Sequence, residues 1–154
     1  MDLVLWRHAE AEPGEPDETR RLTAKGKKQA RRMAEWLHGT LPNSARILVS
    51  PAVRAQQTAA FLAEHSHRKV KTVAALAPGA SADEILQIVE WPTAEGCVVV
   101  VGHQPALGWV ASRLLAQKDL PWSIKKAGVW WLHARAGDAP LEISLRAVVN
   151  PDLL

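Results

Sequence analysis

Two basic side chains, Arg7 and His8, directly follow an apolar run at residues 3–6 near the beginning of the chain. The apolar run predicts a buried strand, and ligands of an open α/β sheet bind at the carboxyl ends of its strands. A guanidinium binds phosphate or carboxylate in bidentate fashion, and an imidazole can act as a base or a nucleophile. An Arg-His pair can equally mark the end of any strand, so the rest of the chain must decide between these interpretations.

Two further predicted strands also end in polar residues. One ends at Ser50, with Arg54 one turn into the helix that follows. The run at residues 97–101 is entirely apolar and continues into Gly102 and His103. We expect Ser50 and Gly102 to contribute to ligand binding, because a glycine allows the backbone to bend or to approach a ligand closely. If the three strands are neighbours, two arginines and two histidines meet beside helix N-termini, which predicts an oxyanion or phosphate site.

The order of the predicted elements indicates the fold class. Strands are predicted at residues 3–6, 46–50, 70–73, 97–101, 128–133 and 141–148, and helices at residues 51–65, 82–90 and 106–116, besides one that Thr23 caps and Gly39 ends. Helical crossovers join parallel strands, so we predict an α/β fold, a three-layer α/β/α sandwich with a mostly parallel six-stranded sheet and one antiparallel strand. The last two strands form a hairpin with a turn at Gly137 and Asp138. Along the last strand, Ile143, Leu145 and Ala147 alternate toward one face.

Length, charge and cysteine content limit the possible classes of protein. A chain of 154 residues fits one domain, residues 1–154, and its net charge of +3 includes no Lys/Arg run typical of a nucleic-acid-binding arm. The single cysteine, Cys97, excludes an internal disulfide and fits a reducing compartment as an inert core thiol. No signal peptide and no membrane-spanning apolar run is apparent. We therefore predict a cytoplasmic location, with no nucleic-acid and no membrane partner.

Several other chemistries lack the motif that they require. The phosphate-binding pattern GxxxxGK[ST], the zinc motif HExxH, paired cysteines and the serine-hydrolase pattern GxSxG are all absent from the sequence. A cysteine phosphatase needs an arginine six positions after its cysteine, and that position after Cys97 is His103. A set of arginines is also a poor metal site, because guanidinium groups repel cations.

Four motifs together resemble one family. The stretch LWRHAE at residues 5–10 resembles the RHG/RHA signature of the histidine phosphatase superfamily, whose members include phosphoglycerate mutases. The motif RRLT at residues 20–23 with Gly26, the stretch SPAVRAQQT at residues 50–58 and VGHQP at residues 101–105 resemble the family in the same order. The small size and the RHA, R-x-L-T and GHxP patterns are most similar to bacterial phosphohistidine phosphatases of the SixA type.

This resemblance implies roles for individual residues. It makes His8 the nucleophile and assigns Arg7, Arg54 and His103 to the rest of the phosphate pocket. Arg20 matches the R-x-L-T arginine found near the pocket in the SixA-like group, and is a substrate-binding candidate. The resemblance also implies the strand order 3-2-4-1-5-6, with strand 5 antiparallel.

The implied mechanism is phosphoryl transfer through the enzyme. The imidazole of His8 attacks phosphorus, and water then hydrolyses the phosphohistidine that forms. The attack requires a neutral ring, so we expect the flanking cations to hold the pKa of His8 down. Arg7, Arg54 and a protonated His103 would neutralise the phosphoryl oxygens. No metal and no other cofactor is expected, because the protein supplies the positive charge.

The choice of substrate depends on a general acid. Asp83 and Glu84 are typical of the first turn of a helix capped by Ser81, which leaves Glu10 and Glu12 as other candidates for protonating an alkoxide. A phosphoramidate needs less help, since imidazole is an easily protonated leaving group. The chain also lacks long insertions over the pocket. These features favour a phosphohistidine on a protein, such as the histidine phosphotransfer domain of a signalling relay.

Two other functions remain open at this point. The chain could be a small-molecule phosphomonoesterase of the same superfamily, acting on a small phosphorylated molecule, or a phosphate- or phosphoprotein-binding domain without turnover. A mutase is disfavoured by the small size and the doubtful acid. Lys28, Arg31 and Arg32 on the first predicted helix could dock a protein substrate or form an ordinary solvated face.

Overall fold

The structure is a computed structural model that describes residues 1–135, 137 and 140–154. Its strands are β1 (Asp2–Arg7), β2 (Arg46–Val49), β3 (Val70–Thr72), β4 (Cys97–Gly102), β5 (Val129–Arg135) and β6 (Glu142–Val149). Its α-helices are α1 (Ala24–Thr40), α2 (Val53–Glu64), α3 (Ala82–Ile88) and α4 (Ala106–Ala116). Together the described strands form one sheet in the order β3-β2-β4-β1-β5-β6.

The sheet is mostly parallel, with β5 as its antiparallel member. Strands β1, β2, β3 and β4 run parallel to one another, β5 runs antiparallel to β1, and β6 runs antiparallel to β5. The strand order and the hairpin predicted from the sequence are therefore confirmed. Of the turn predicted at Gly137 and Asp138, the second residue lies outside the described residues.

Helices cover both faces of the sheet, as predicted for a three-layer sandwich. Val4 and Trp6 of β1 pack into a core with Met33 of α1, on the side where α1 and α2 lie. The alternate residues of β1 pack on the opposite side, where Ile85 of α3 and Val110 of α4 line the second core. Because β1 is fully buried between these layers, its carboxyl end holds whatever follows it in a fixed position.

Helix α1 begins where its sequence signals predict and packs closely on the segment that follows β1. The side-chain oxygen of Thr23 accepts a hydrogen bond from the backbone N–H of Gly26 at 2.9 Å, which caps the helix. A Cβ at Gly26 would collide with the carbonyl oxygen of Glu10, so only glycine allows this contact. The predicted end at Gly39 is wrong, since the helix continues to Thr40.

Two other predicted features are wrong. Helix α2 begins at Val53 rather than at residue 51, because the side-chain oxygen of Ser50 accepts a hydrogen bond from the N–H of Ala52 in an extended turn. In β6 the predicted alternation toward one face fails. A bulge near Arg146 shifts the register, so that Leu145 is 44% exposed while the residues beyond the bulge pack on the α1 side.

In the part of the chain that the structure describes, no helix is both long enough and apolar enough to cross a membrane.

Candidate active site

The carboxyl ends of β1, β2 and β4 lie side by side, as the sequence predicts. Their hydrogen bonding continues one residue beyond the strands. The N–H of His8 donates to the carbonyl of Gly102 at 3.0 Å, and the N–H of Ser50 donates to the carbonyl of Val101, also at 3.0 Å. Helices α2 and α4 begin at the same edge, directly after β2 and β4. This arrangement brings Arg7, His8, Ser50, Arg54 and His103 together.

The ring of His8 is buried and oriented by the backbone. The side chain is 8% exposed, and Nδ1 lies 2.7 Å from the carbonyl oxygen of Ala9. A carbonyl only accepts, so Nδ1 carries the proton and Nε2 keeps its lone pair. The Nε of Arg54 donates to this Nε2 at 3.3 Å. The ring is therefore a neutral tautomer with its unprotonated nitrogen facing a guanidinium.

Burial keeps His8 neutral. Desolvation is the largest cause that lowers its pKa, to about 3, and the positive charges of His103, Arg54 and Arg7 lower it further. The hydrogen bond to Ala9 acts in the opposite direction. The neutral ring expected from the sequence is confirmed, but the expected cause is incomplete, because removal from water has a larger effect than the flanking cations.

The second histidine, His103, is also uncharged and has an unused ring nitrogen. Its ring centroid lies 5.1 Å from that of His8, and its Nε2 lies 2.7 Å from Oγ of Ser50. Because this Oγ already accepts from the N–H of Ala52, its hydroxyl proton is available to His103 Nε2, which places the ring proton on Nδ1. That Nδ1 is buried and has no hydrogen-bond partner among the described residues. Burial and then Arg54 lower the pKa of His103 to about 4, so the expectation of a protonated His103 is wrong.

Both arginines of the pocket are held by the surrounding chain. One terminal nitrogen of Arg7 donates to the carbonyl of Ile124 at 2.9 Å, while its Nε is buried without a partner in the described part of the chain. Arg54 is 4% exposed, and its two terminal nitrogens donate to the carbonyl and the carboxylate of Asp17 at 2.9 and 3.0 Å. The charges at this edge are therefore largely desolvated, which strengthens their effect on an anion.

Asp17 is a pocket residue that the sequence analysis missed. Its carboxylate joins Arg54 to Arg20, whose terminal nitrogen lies 3.0 Å from the other carboxylate oxygen. The hydrogen bonds from Arg20 and then Arg54 hold the pKa of Asp17 below its usual range. Arg20 also donates to the carbonyl of Glu12 at 2.7 Å, so it reaches the pocket through Asp17. The available signal was an acid three residues before the arginine of the R-x-L-T motif.

Thr58 is the second residue whose role was missed. The sequence analysis predicts it as one of the buried positions of α2, which is confirmed. Its hydroxyl also accepts from the N–H of Ala9 at 3.0 Å and donates to the carbonyl of Arg54 at 2.8 Å. This side chain thus ties the residue after His8 to the helix that carries Arg54. Residue type and spacing alone do not reveal such a contact.

The candidate general acids are engaged elsewhere. Glu10 accepts from the hydroxyl of Thr23 at 2.9 Å, and this bond is the largest cause that lowers its pKa. Asp83 pairs with Arg113 of α4, and Ser81 caps α3 as predicted. Glu12 is exposed on the loop after β1.

The expectation for Gly102 is not supported. Its backbone does not adopt a positive φ, and a Cβ there would make ordinary contact with Leu107 at 3.6 Å. The fold therefore does not require glycine at this position. Cys97 is buried, and burial raises the pKa of its thiol to about 12, as expected of an inert core residue. Within the described residues, no cluster of three or more His, Cys, Asp or Glu side chains could hold a metal ion.

Comparison with known proteins identifies the family. A model of the histidine phosphatase superfamily (branch 1) matches residues 3–77. A Haemophilus influenzae homolog of phosphohistidine phosphatase SixA is 34% identical over 132 residues, which cover 77% of this chain and 80% of that protein. This chain belongs to the histidine phosphatase superfamily. The predicted enzyme class, a phosphatase, is thereby confirmed.

Two further relatives extend the likeness over the chain. An uncharacterised protein of Picosynechococcus sp. is 34% identical over 145 residues, or 88% of this chain and 87% of that one. The structure of the protein histidine phosphatase SixA complexed with tungstate has a TM-score of 0.83, with 23% identity and 99% coverage of both chains. The fold of this histidine phosphatase thus matches that structure along nearly its whole length.

Proposed function

We propose that this chain is a phosphohistidine phosphatase that removes the phosphoryl group from a histidine of a signalling phosphotransfer protein. The observation that carries the proposal is the state of His8. Its ring is buried and neutral, and Nε2 keeps its lone pair beside the guanidinium of Arg54. The similarity to the Haemophilus influenzae SixA homolog supports the substrate class.

The reaction proceeds in two steps through a covalent intermediate on His8. In the first step Nε2 bonds to phosphorus, the phosphorus–nitrogen bond of the substrate breaks, and the leaving imidazole departs with a proton on that nitrogen. The hydrogen bond from Nδ1 to Ala9 stabilises the positive ring that forms. In the second step water attacks phosphorus, phosphate leaves, and Nε2 regains its lone pair.

The other pocket residues stabilise the transferring phosphoryl group. Arg7 and Arg54 supply positive charge to its oxygens, which is the main catalytic task in phosphoryl transfer. The Nδ1–H of His103 supplies a neutral hydrogen bond, because Ser50 occupies Nε2. Arg20 assists through its contact with Asp17. No step requires a metal or another cofactor.

The state of the nearby acids favours a phosphoramidate over a phosphoester. The pKa values of Glu10 and Asp17 are lowered, so both carboxyls are ionised at neutral pH and neither is ready to protonate an alkoxide. An imidazole leaving group needs no strong acid. The single cysteine fits the cytoplasmic location of such a signalling enzyme.

The test compares two substrates in the wild-type protein and in His8→Ala. Release of phosphate is measured from a phosphohistidine-bearing phosphotransfer protein and from a phosphomonoester, with and without EDTA. We expect turnover of the phosphohistidine substrate that EDTA does not affect and that His8→Ala abolishes, with a phosphorylated enzyme trapped on rapid acid quench. Turnover of the ester alone would contradict the proposed substrate, and phosphate binding without any turnover would contradict the enzymatic role.

A further inference from the structure

A basic cleft lies beside the phosphoryl pocket, between the exposed face of α1 and the loop before β5. Its volume is about 660 Å³. It is lined by Arg7, Lys25, Lys28, Gln29, Arg32, Ser123, Lys125, Lys126, Asn150, Pro151 and Asp152. We call this surface the basic cleft. None of its roles in the proposed reaction is accounted for, apart from that of Arg7.

The basic cleft concentrates the positive charge of the molecule. The described residues that line it include six cationic side chains and one carboxylate, a net charge of +5. The whole chain carries only +3, so the remainder is net negative by two charges. A general excess of lysine and arginine therefore does not explain the cleft, which is a local field on one side of an otherwise acidic surface.

The cleft is connected directly to the phosphoryl pocket. Arg7 lines the cleft, and one of its terminal nitrogens donates to the carbonyl of Ile124. The N–H of Ala127 donates to the carbonyl of His8 at 3.1 Å. The segment that carries Lys125 and Lys126 is thus hydrogen-bonded at both ends to the two residues that follow β1. A macromolecule whose phosphoryl group reaches His8 extends across this surface.

The charges of the cleft remain available to a partner. Lys25, Lys28, Arg32 and Lys125 are exposed, and none of them forms an ion pair with a described residue. Lys126 has a carboxylate neighbour, Glu10, at 3.7 Å. Exposed ammonium groups at the end of flexible stems suit encounter with several carboxylates better than the binding of one fixed anion.

We propose that the basic cleft docks an acidic segment of the phosphorylated partner protein, which flanks the histidine presented to His8. The proposal rests on the proposed function and names the chemistry of the partner surface. An acidic polypeptide fits better than a single-stranded nucleic acid, because the described lining residues include no aromatic side chain on which a base could stack.

The test uses two phosphohistidine peptides of equal length, one with Asp and Glu around the histidine and one with Asn and Gln, together with free phosphohistidine. The cleft variant is Lys28→Gln/Lys125→Gln. Its matched control is Lys71→Gln/Lys118→Gln, which removes the same charge from exposed lysines outside the cleft. We expect the cleft variant to raise KM for the acidic peptide roughly tenfold, with kcat unchanged.

Three outcomes would overturn the proposal. The neutral peptide or free phosphohistidine might lose as much activity as the acidic peptide in the cleft variant, which would assign these lysines to the phosphoryl pocket. The control variant might match the cleft variant, which would reduce the effect to net charge. An oligonucleotide of equal charge might bind more tightly than the acidic peptide and displace it, which would assign the cleft to nucleic acid.

Failure of the proposed function is distinguished by a binding measurement. If no phosphohistidine substrate is hydrolysed, fluorescence anisotropy of the unphosphorylated acidic peptide still tests the cleft. We expect the cleft variant to weaken binding about tenfold and the control variant to leave it within about twofold. Equal binding by wild type and cleft variant would contradict docking, whatever the enzyme hydrolyses.

Discussion

The phosphoryl pocket and the basic cleft share Arg7, yet they hold their charged groups in opposite ways. In the pocket, Arg54 is 4% exposed and each of its nitrogens has an assigned partner. In the cleft, Lys28 and Lys125 are exposed and form no ion pair within the described chain. Two regions a few residues apart thus use positive charge under different dielectric conditions.

This difference separates chemistry from recognition. A desolvated guanidinium held by hydrogen bonds acts strongly on a charge that develops at one place, and salt screens it little. An exposed ammonium contributes little to the stability of one contact, but it attracts an acidic surface over a longer distance. We therefore expect substitutions in the pocket to change kcat and substitutions in the cleft to change KM.

The sharpest test of this contrast replaces one arginine in each region. We expect Arg54→Gln to lower kcat by roughly 10²–10³, because it removes a preorganised donor to the phosphoryl oxygens. The matched variant Arg32→Gln should raise KM for an acidic substrate by only about two- to fivefold. Steady-state kinetics measure both. Similar changes in kcat for the two variants would contradict the distinction, and urea unfolding checks that Arg54→Gln still folds.

The buried histidines predict a pH-dependent stability that the cleft lysines do not share. The pKa values of His8 and His103, about 3 and about 4, lie below the value of 6.5 for an unperturbed histidine. As pH falls from 6.5 toward 4, the unfolded chain binds protons that the folded protein does not, so the free energy of unfolding decreases. The decrease is at most about 1.4 kcal/mol per pH unit for each ring.

Urea unfolding between pH 7 and pH 4.5 measures this effect. We expect His103→Asn to show a smaller loss of stability on acidification than the wild type, and Lys28→Gln to show the same loss. An unchanged slope in His103→Asn would indicate that its ring is not buried in the neutral form.

Salt should affect the two regions differently. Raising the ionic strength from about 0.05 M to about 0.5 M shortens the screening length severalfold, so kcat/KM for an acidic protein substrate should fall several-fold through the cleft. Turnover of free phosphohistidine at saturation should change little, because it depends on the buried pocket. An equal salt effect on both substrates would place the salt-sensitive charges in the pocket.

The smallest expected effect concerns Asp17, which occupies terminal nitrogens of Arg54 that a phosphate oxygen could use. We expect Asp17→Asn to strengthen inhibition by inorganic phosphate about two- to fivefold, since a partly exposed ion pair competes only modestly. Glu18→Gln, in the same exposed turn, is the control. Weaker phosphate inhibition in Asp17→Asn would mean that the carboxylate mainly positions Arg54.

Much of the phosphoryl pocket follows from local sequence. The apolar runs before His8, Ser50 and His103 have the length and composition of buried strands, and the segments between them are long enough for helical crossovers. Parallel strands end at one edge of a sheet, so these residues had to meet once the strands were neighbours. Arg54 belongs to the same set, because it follows its strand by only a short turn.

The remaining features depend on contacts that no local pattern specifies. The meeting of Asp17 with Arg54 joins residues 37 positions apart through a loop without periodicity. The bulge near Arg146 turned one predicted core residue, Leu145, outward. The basic cleft exists only because α1 packs near the loop before β5.

The protonation state of His103 gives the clearest division between the two levels. Its place at the end of a buried strand followed from the sequence, because apolar runs and crossover lengths are local properties. Its charge did not, because the pKa depends on how completely the packed fold removes the ring from water and on which side chains surround it. The sequence by itself thus determined which groups meet in the pocket, and only the tertiary structure decided their protonation, their partners and the surface beside them.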